Sequence, residues 1–173
     1  SLAPSEMCIR DRQSADTPYL FQEDHQPDCA YVGIPRVVSE TRKFYTAAHL
    51  DPDVIAGDKV YVAVDPEGLL FGLISSSMFI TWQRAIGGRL ESRLSFANTL
   101  TWNTFPVPEL DEKTRQRIIN AGKKVLDARA LHPERSLAEH YNPLAMDPAL
   151  VKAHDALDRE VDKAFGAPRK LTT

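Results

Sequence analysis

The chain has 173 residues, of which 43% are hydrophobic and 26% are charged, and its formal net charge is −3. This length allows one domain, or one small domain with a helical appendage, and no apolar run approaches the roughly 20 residues that cross a bilayer. The mild acidity argues against a protein that coats nucleic acid regardless of sequence, although a specific DNA-binding protein needs positive charge only on the surface that faces the groove.

The first 30 residues show no pattern of a folded element. The run Met7-Cys8-Ile9-Arg10-Asp11-Arg12 looks like the translation of a transposon-end adapter used in sequencing libraries, and it lacks the features of a signal or transit peptide. We therefore interpret residues 1–12 as a dispensable non-native tail, with a natural tail as the alternative. Residues 13–30 are polar and contain two prolines, which is typical of a loop or linker. The two cysteines, Cys8 and Cys29, form no CxxC pair, which favours a reduced, cytoplasmic setting.

Strand signals follow between residues 31 and 74. Residues 31–34 and 37–38 flank Pro35, which suits a strand at a sheet edge or a strand with a break. Residues 59–64 are β-branched and aromatic, residues 65–68 have turn chemistry, and residues 69–74 are a second apolar run. This pattern predicts two strands joined by a tight turn.

A short helix is predicted next. Ser75, Ser76 and Ser77 are N-cap candidates, and the apolar residues after them recur at intervals of three and four until Gly87-Gly88 ends the helix. Residues 89–97 are polar and contain arginines, and residues 98–102 resemble another strand. Two prolines between residues 105 and 108 then close this half of the chain, because proline continues neither a ladder nor a helix.

Beyond Pro108 the chain is predicted to be helical. Residues 109–130 are rich in helix formers, and Asp147-Pro148 supplies an N-cap and a first-turn proline for a last helix. The apolar face of that helix is defined by residues at alternating spacings of four and three: Leu150, His154, Leu157, Val161 and Ala164. Its acidic residues are predicted to form a solvated face that pairs with neighbouring basic residues: Asp155, Asp158, Glu160 and Asp162, with Lys152, Arg159 and Lys163.

Catalytic motifs are absent from the sequence. It contains no GxGxxG turn, Walker loop, HExxH or GxSxG motif. Asn142-Pro143-Leu144 is similar to the Asn-Pro-Pro-aromatic motif of amino-methyltransferases but lacks its second proline and its aromatic residue, so we interpret it as a turn between helices. The histidines show no metal-ligand spacing, and we expect them to pack in the core or on the surface: His25, His49, His132, His140 and His154. We predict no catalytic, cofactor-binding or metal-binding residue in this chain.

The arginines within and after the short predicted helix indicate contact with DNA. Between residues 78 and 96 the sequence has three arginines, Arg84, Arg89 and Arg93, and one acidic residue, Glu91. Gly87-Gly88 would let the backbone approach a partner closely. Arginine beside glycine, followed by serine and asparagine, suits contacts with phosphates and base edges. We expect Arg89 and Arg93 to contact bases and Arg84 to contact the DNA backbone; an ordinary surface loop is the alternative. The full set of DNA-contact candidates is Arg84, Arg89, Arg93, Asn98, Ser75, Ser76 and Ser77.

Several motifs resemble the MmeI-like DNA methyltransferases, in which an adenine methyltransferase is fused to a target recognition domain, often with a nuclease. The resemblance covers about residues 31–166. Its clearest segments are Ile74-Ser75-Ser76-Ser77-Met78-Phe79-Ile80-Thr81-Trp82, Gly87-Gly88-Arg89-Leu90, Asn98-Thr99-Leu100, Asn103-Thr104-Phe105-Pro106, Tyr141-Asn142-Pro143-Leu144-Ala145-Met146 and Ala153-His154-Asp155-Ala156-Leu157-Asp158.

The resemblance implies a parent enzyme that transfers a methyl group from S-adenosylmethionine to the N6 amine of adenine in double-stranded DNA, after flipping the base. The cofactor-binding and catalytic motifs of the family lie upstream, so the chain would be a C-terminal piece whose partners are DNA and the upstream methyltransferase domain. Residues 31–108 would be the C-terminal part of the recognition domain, and residues 109–173 a C-terminal helical region. The expected fold is α+β, with a small mixed or antiparallel sheet, an inserted helix and a helical C-terminal region.

Two other classes of function remain open at this point. One is a phage-defence methyltransferase without a nuclease, or a subunit that supplies only DNA specificity. The other is a structural module of sheet and helices with no nucleic-acid role. An Asn-Pro-Pro-aromatic motif in the upstream sequence would favour the enzyme, and its absence the binding module.

Overall fold

The computed structural model describes residues 26–167. The predicted tail at residues 1–12, most of the predicted loop at residues 13–30, and His25 lie outside these residues. The fold is mixed α+β, which confirms the predicted class: two antiparallel three-stranded sheets are followed by helices. The sequence had predicted one sheet with one inserted helix, whereas the structure has two small sheets with two helices between their strands.

The first sheet has the strand order β3-β1-β4, with β1 at Tyr31–Pro35, β3 at Ala48–Leu50 and β4 at Val60–Val64. One face of β1 packs in the core through Val32 and Ile34. Strand β1 is the central strand, so the edge interpretation of Pro35 is wrong, and the alternative of a break is correct. The chain leaves the first sheet after Pro35 and enters the second sheet at β2, Val37–Val38.

The second sheet has the order β2-β6-β5. Strands β5, Gly88–Leu90, and β6, Arg93–Ser95, form a hairpin whose two-residue turn is Glu91-Ser92. Glu91 adopts a left-handed backbone conformation with φ 58°, which is typical of tight hairpin turns that follow the twist of the strands. We call residues 88–95 the arginine hairpin. No strand was predicted in this stretch, although Arg89 and Arg93 were predicted to contact DNA.

Helix α1, Leu69–Ile74, occupies the segment that was predicted to be a second strand, and that prediction is wrong. The Asp65 carboxylate accepts hydrogen bonds from the backbone N–H groups of Leu70 (3.1 Å) and Phe71 (2.7 Å), so it satisfies two donors at the start of the helix. Gly68 precedes the helix with φ 87°. The segment is apolar throughout, and periodicity cannot distinguish a buried helix from a buried strand in so short a run.

Helix α2, Ser77–Ile86, confirms the predicted short helix, and Ser76 is its N-cap. The predicted strand at residues 98–102 is wrong, because Asn98–Trp102 forms a turn of π-helix. The N–H of Asn103 donates to the carbonyl of Asn98 (2.9 Å), and the Asn98 side chain accepts from the N–H of Thr99 (2.8 Å). An asparagine that bonds its own local backbone in this way competes with strand pairing.

The C-terminal helices are α3, Glu112–Ala130, α4, Leu137–His140, and α5, Pro148–Ala164. Asp147 caps α5 as predicted, and residues 142–144 form a turn between α4 and α5, also as predicted. The predicted solvated face of α5 is wrong at Asp158 and Asp162, whose exposed fractions are 3% and 4%. Glu160 does pair with Lys163 at 2.9 Å, as that prediction required.

The strands and the C-terminal helices share one core. We call residues 26–108 the strand-containing part and residues 109–167 the helical part. Helix α1 packs on α3, α2 packs on α5, and α3 and α5 pack on each other. The core that results contains apolar side chains from both parts. Within residues 26–167, no helix is long and apolar enough to cross a membrane, and no cluster of three or more acidic, His or Cys side chains could hold a metal ion.

Candidate nucleic-acid interface

The arginine hairpin presents its two arginines on opposite faces. Arg89 pairs across the strands with Leu94, and Arg93 pairs with Leu90. Directly opposed residues of an antiparallel pair share a face, and successive residues alternate between faces. Arg89 therefore lies on the face of the hairpin that carries buried Leu94, and Arg93 lies on the other face. Both side chains are exposed.

The tip of the hairpin holds Arg93 through a local ion pair. Its Nη2 lies 2.9 Å from a carboxylate oxygen of Glu91, with the two side chains 48% and 78% exposed. Arg89 donates from Nη1 to the carbonyl of Ser92 at 3.2 Å. Each of these contacts uses only part of a guanidinium group that has five N–H donors, so both arginines keep donors that a ligand could use.

Arg84 has a structural contact that the sequence did not indicate. It lies in the last turn of α2, and its Nη2 donates to the backbone carbonyls of Arg42 (2.6 Å) and Glu40 (3.4 Å). Arg42 in turn donates to the carbonyl of Ala138 at 2.9 Å. Arg84 is exposed, but its hydrogen bonds also join α2 to the loop between β2 and β3.

Two of the predicted DNA-contact serines are buried, and their assignment is corrected. Ser75 and Ser76 are both 0% exposed. The Ser76 hydroxyl donates to the carbonyl of Leu73 (2.6 Å) and accepts from the N–H of Phe79 (3.3 Å), because it caps α2. Ser77 is half-buried, and Asn98 is exposed with its side-chain oxygen bonded to the N–H of Thr99. Ser75 and Ser76 therefore support the interior of the fold and do not reach a DNA surface.

Side chains behind the hairpin were missed by the sequence analysis. Gln83 of α2 is 0% exposed and donates from Nε2 to the carbonyl of Ser95 in β6 at 2.9 Å. At the other end of α2, the N–H of Ser77 donates to the Asp158 carboxylate of α5 at 2.8 Å. Glutamine and aspartate are usually exposed, so a single sequence gave no signal for either contact.

A buried polar cluster joins the strand-containing part to the helical part. Arg129 of α3 donates to the carbonyl of Ala47 (2.8 Å) and to the hydroxyl of Tyr141 (2.9 Å from Nε). The Tyr141 hydroxyl lies 2.7 Å from Nε2 of His154, whose ring stacks on Phe44. Because Arg129 donates to the phenolic oxygen, Tyr141 donates its own proton to His154, which requires a neutral ring that is protonated on Nδ1.

The electrostatics of the cluster agree with that assignment. Burial, reinforced by the positive charge of Arg129, lowers the pKa of His154 to about 3. Burial raises the pKa of Tyr141 above its usual value, against the opposing effect of Arg129. Within the cluster, Tyr141 is therefore protonated and His154 is neutral. The cluster has no exposed member, so its chemistry serves the fold and not a ligand.

Comparison with known proteins matches the whole described structure. Residues 7–109 match the family described as the MmeI target recognition domain, and residues 110–173 match the MmeI C-terminal domain. The first match includes residues 7–12, which the adapter interpretation assigns to a non-native tail. DNA methyltransferase A of Bacillus subtilis strain 168 is 35% identical over 149 residues, which are 86% of this chain and 17% of that relative.

A solved structure extends the similarity to three dimensions. It is that of the type IIL restriction–modification enzyme MmeI in complex with DNA, with 40% sequence identity and a TM-score of 0.84. The match covers 99% of this chain and 22% of the MmeI chain, so the chain spans about a fifth of the length of these relatives. The chain belongs to the MmeI family, with a target recognition domain followed by a C-terminal domain.

Proposed function

We propose that the chain is the DNA-recognition and C-terminal portion of a site-specific methyltransferase that modifies adenine N6 with S-adenosylmethionine, within a restriction–modification system. The observation that supports this proposal most directly is the exposed arginine hairpin, on a fold that matches MmeI in complex with DNA. The cofactor and the catalytic motif would belong to the upstream methyltransferase domain of the same polypeptide, and the chain's own role is to recognise double-stranded DNA.

Arg89 and Arg93 are the proposed base-contacting residues. In the major groove of B-DNA, a planar guanidinium can bond guanine O6 and N7 together. Arg89 lies on the edge strand β5, and Arg93 lies on the face opposite buried Leu94, so each would reach a base from a different side of the hairpin. The ion pair with Glu91 restricts the orientation of Arg93, so less side-chain freedom is lost when Arg93 meets a base. Asn98 and Ser77 are supporting contacts in this proposal. Arg84 is the proposed phosphate contact, through N–H groups other than those on Nη2, which bond backbone carbonyls.

The test is methylation-site profiling and salt-dependent DNA binding of the full-length enzyme with Arg84→Ala, Arg89→Ala or Arg93→Ala. Loss of a base-contacting arginine should cost about 1–3 kcal/mol at the preferred site and relax one position of the recognised sequence. Loss of a phosphate contact should weaken binding to all sequences alike and lower the salt slope by about one unit.

Arg115→Ala is the matched control. Arg115 is also a partly exposed arginine in an ion pair with a glutamate, Glu67 at 2.5 Å, but it lies outside the hairpin. We expect the control to keep wild-type affinity and site preference. The proposal fails if all three hairpin and helix variants behave like the control.

The alternatives have distinct outcomes in these experiments when cleavage of unmodified DNA is measured as well. A phage-defence methyltransferase without a nuclease would methylate its site but would not cut unmodified DNA that contains the site. A specificity subunit would bind DNA but would not methylate it without a separate catalytic chain. A purely structural module would show no sequence-dependent binding.

A further inference from the structure

Helix α2 is fixed at both ends, and its two contacts join the C-terminal domain to the arginine hairpin. At its N-terminus, the N–H of Ser77 donates to Asp158 of α5 at 2.8 Å. Near its C-terminus, Gln83 donates to the carbonyl of Ser95 in β6 at 2.9 Å. Arg93 lies two residues before Ser95 on the same strand. The hairpin is thus connected to the C-terminal domain by helix α2, through one half-buried hydrogen bond near each end of the helix.

The side chain of Gln83 fills the space beneath the start of the hairpin. A Cβ atom added at Gly87 would lie 1.9 Å from Nε2 of Gln83 and 2.6 Å from its backbone carbonyl oxygen. Gly87 has φ −69° and ψ 157°, which any residue can adopt, so space and not conformation requires glycine there. The backbone at Gly87, where the chain passes from α2 to the hairpin, therefore packs directly against the Gln83 amide. That amide lies between the end of the helix and strand β6.

Because Gln83 is buried, its hydrogen bond to Ser95 fixes the orientation of its side chain. Gln83 is 0% exposed, and its amide nitrogen is bonded to a strand carbonyl, while no hydrogen-bond partner is present for Oε1 within the described residues. Burying a glutamine in this way is costly unless its hydrogen bond is kept. An apolar side chain of the same size would fill the volume but would not fix strand β6 relative to α2.

We propose that Gln83 is a positioning residue for DNA recognition: its amide sets the direction in which the hairpin leaves α2 and thereby places Arg89 and Arg93 against the base edges. This inference rests on the proposed function, because it assumes that the hairpin contacts bases. Contacts to bases tolerate little displacement, since a bidentate pair requires both hydrogen-bond distances and the plane of the guanidinium to match the base. A small rotation of the hairpin would impair recognition while the hairpin itself stays intact.

Two independent substitutions in the full-length enzyme test the proposal. Gln83→Met keeps the volume and removes the donor. Gly87→Ala keeps Gln83 but displaces its amide and the last turn of α2. The matched controls are Gln116→Met, at an exposed glutamine of α3, and Gly57→Ala, at a glycine with nothing within 4 Å of an added Cβ.

The readouts are the methylation-site profile and the separate kcat and KM values for DNA. Each changed base pair in a specific site typically weakens binding by about tenfold or more. We expect the preference for the correct site over a site with one changed base pair to fall about tenfold in both test variants. KM for the preferred DNA should rise, and kcat should stay within about twofold of wild type. A merely structural defect would instead reduce the active fraction, and so kcat, and leave site preference unchanged. Both controls should match wild type.

Failure of this inference and failure of the proposed function give different results. If Arg93→Ala relaxes site preference but Gln83→Met and Gly87→Ala do not, the positioning role is wrong and the hairpin still contacts bases. If the arginine variants keep wild-type preference as well, the proposed function itself is wrong. If Gln83→Met does not fold, Gly87→Ala still tests whether the angle between α2 and the hairpin controls site preference, and wild-type preference in that variant would overturn the proposal.

Discussion

Arg129 shows at the scale of one residue how a charge is accommodated in this core. Only 7% of the residue is exposed, and its guanidinium lies 5.2 Å from the ring centroid of Phe71 and 5.0 Å from that of Tyr141. A buried charge is costly unless its donors are bonded. The carbonyl of Ala47, the Tyr141 hydroxyl and the two aromatic rings satisfy this requirement. Tyr141 is therefore the residue on which both Arg129 and His154 depend.

Replacing Tyr141 with phenylalanine should destabilise the chain. The substitution keeps the ring but leaves guanidinium donors of Arg129 and the Nε2 of His154 without their partner. We expect the free energy of unfolding to fall by about 2–3 kcal/mol, measured by urea denaturation. Tyr61→Phe is the control, because half-buried Tyr61 contributes a ring contact with Phe96 that phenylalanine retains. The free energy of unfolding of this control should stay within about 0.5 kcal/mol of wild type. Equal losses in the two variants would show that the hydrogen bonds of the Tyr141 hydroxyl do not stabilise the chain.

The stability of the chain should depend on pH through His154. The pKa of His154 is about 3 in the folded chain, against an ordinary value of 6.5 that applies when the chain is unfolded. Between these two pH values the unfolded chain binds more protons than the folded chain. The free energy of unfolding should therefore be highest above pH 6.5 and fall by about 1.4 kcal/mol per pH unit below it. Burial also lowers the pKa of His140, which acts in the same direction.

The His154 contribution can be isolated with His154→Gln. Glutamine keeps an acceptor for the Tyr141 hydroxyl but does not titrate. Unfolding free energies of wild type and variant, measured by urea denaturation from pH 8 down to pH 5, should therefore converge as the pH is lowered. A difference between the two that is constant with pH would contradict the buried, neutral state of His154.

At the residue scale, the sequence was most informative where a residue belongs to a periodic pattern of apolar residues along a helix. His154 was expected to pack on the basis of its position in the apolar face of the last helix, and it is fully buried. Asp158 lies one residue after the apolar position at Leu157 and was assigned to solvent. Its partner, the N–H of Ser77, is 81 residues away in sequence. No local pattern contains that contact, and the same is true of Gln83 and Ser95.

At the element scale, caps and spacing predicted the longer helices, whereas the four-residue α4 was missed although Ser136 and Glu139 form a capping box at its start. Helices α2, α3 and α5 carry side-chain caps at Ser76, Asp111 and Asp147. The predicted cap of α5 is confirmed, and the cap of α2 is one of three serines that were predicted as candidates. Helix α1 has its cap in Asp65, four residues before the helix begins, so the signal was interpreted as part of a turn. The hairpin was missed because its strands have three residues each and little alternation of apolar and polar side chains.

The crossing of α1 and α3 should be sensitive to a single methyl group. A Cβ atom added at Gly72 would lie 2.9 Å from Cγ2 of Ile118, which is 0% exposed and cannot move into solvent. We expect Gly72→Ala to lower the free energy of unfolding by about 1–3 kcal/mol through overpacking. Gly122→Ala is the matched control on α3, because its closest neighbour would be 3.4 Å away. Alanine there should be neutral or stabilising by up to about 1 kcal/mol. If the free energy of unfolding fell equally in Gly72→Ala and Gly122→Ala, the loss would not arise from the contact with Ile118.

At the scale of the whole molecule, the two family domains are joined by a continuous interior. The boundary between the matched domains falls between residues 109 and 110. Contacts across that boundary include the hydrogen bond from Arg129 to Ala47, the hydrogen bond from Ser77 to Asp158, and the packing of α1 on α3, where a Cβ atom added at Gly122 would lie 3.4 Å from the Cα of Gly72. The Arg129 and glycine contacts are buried, and the Ser77–Asp158 bond is half-buried. The two domains defined by sequence similarity therefore share one core.

The chain should accordingly unfold in a single transition, and its chromophores allow the two parts to be followed separately. Both tryptophans, Trp82 and Trp102, lie in the strand-containing part, whereas most helical residues lie in α3 and α5 of the helical part. We expect the urea midpoints from tryptophan fluorescence and from far-UV circular dichroism to coincide, as they do when no intermediate is populated. Leu157→Ala removes a fully buried side chain from α5 only and should cost about 2–5 kcal/mol. If the core is shared, this variant shifts the fluorescence midpoint as far as the dichroism midpoint. A fluorescence transition that stays at its wild-type position while the helices melt earlier would show two independent units.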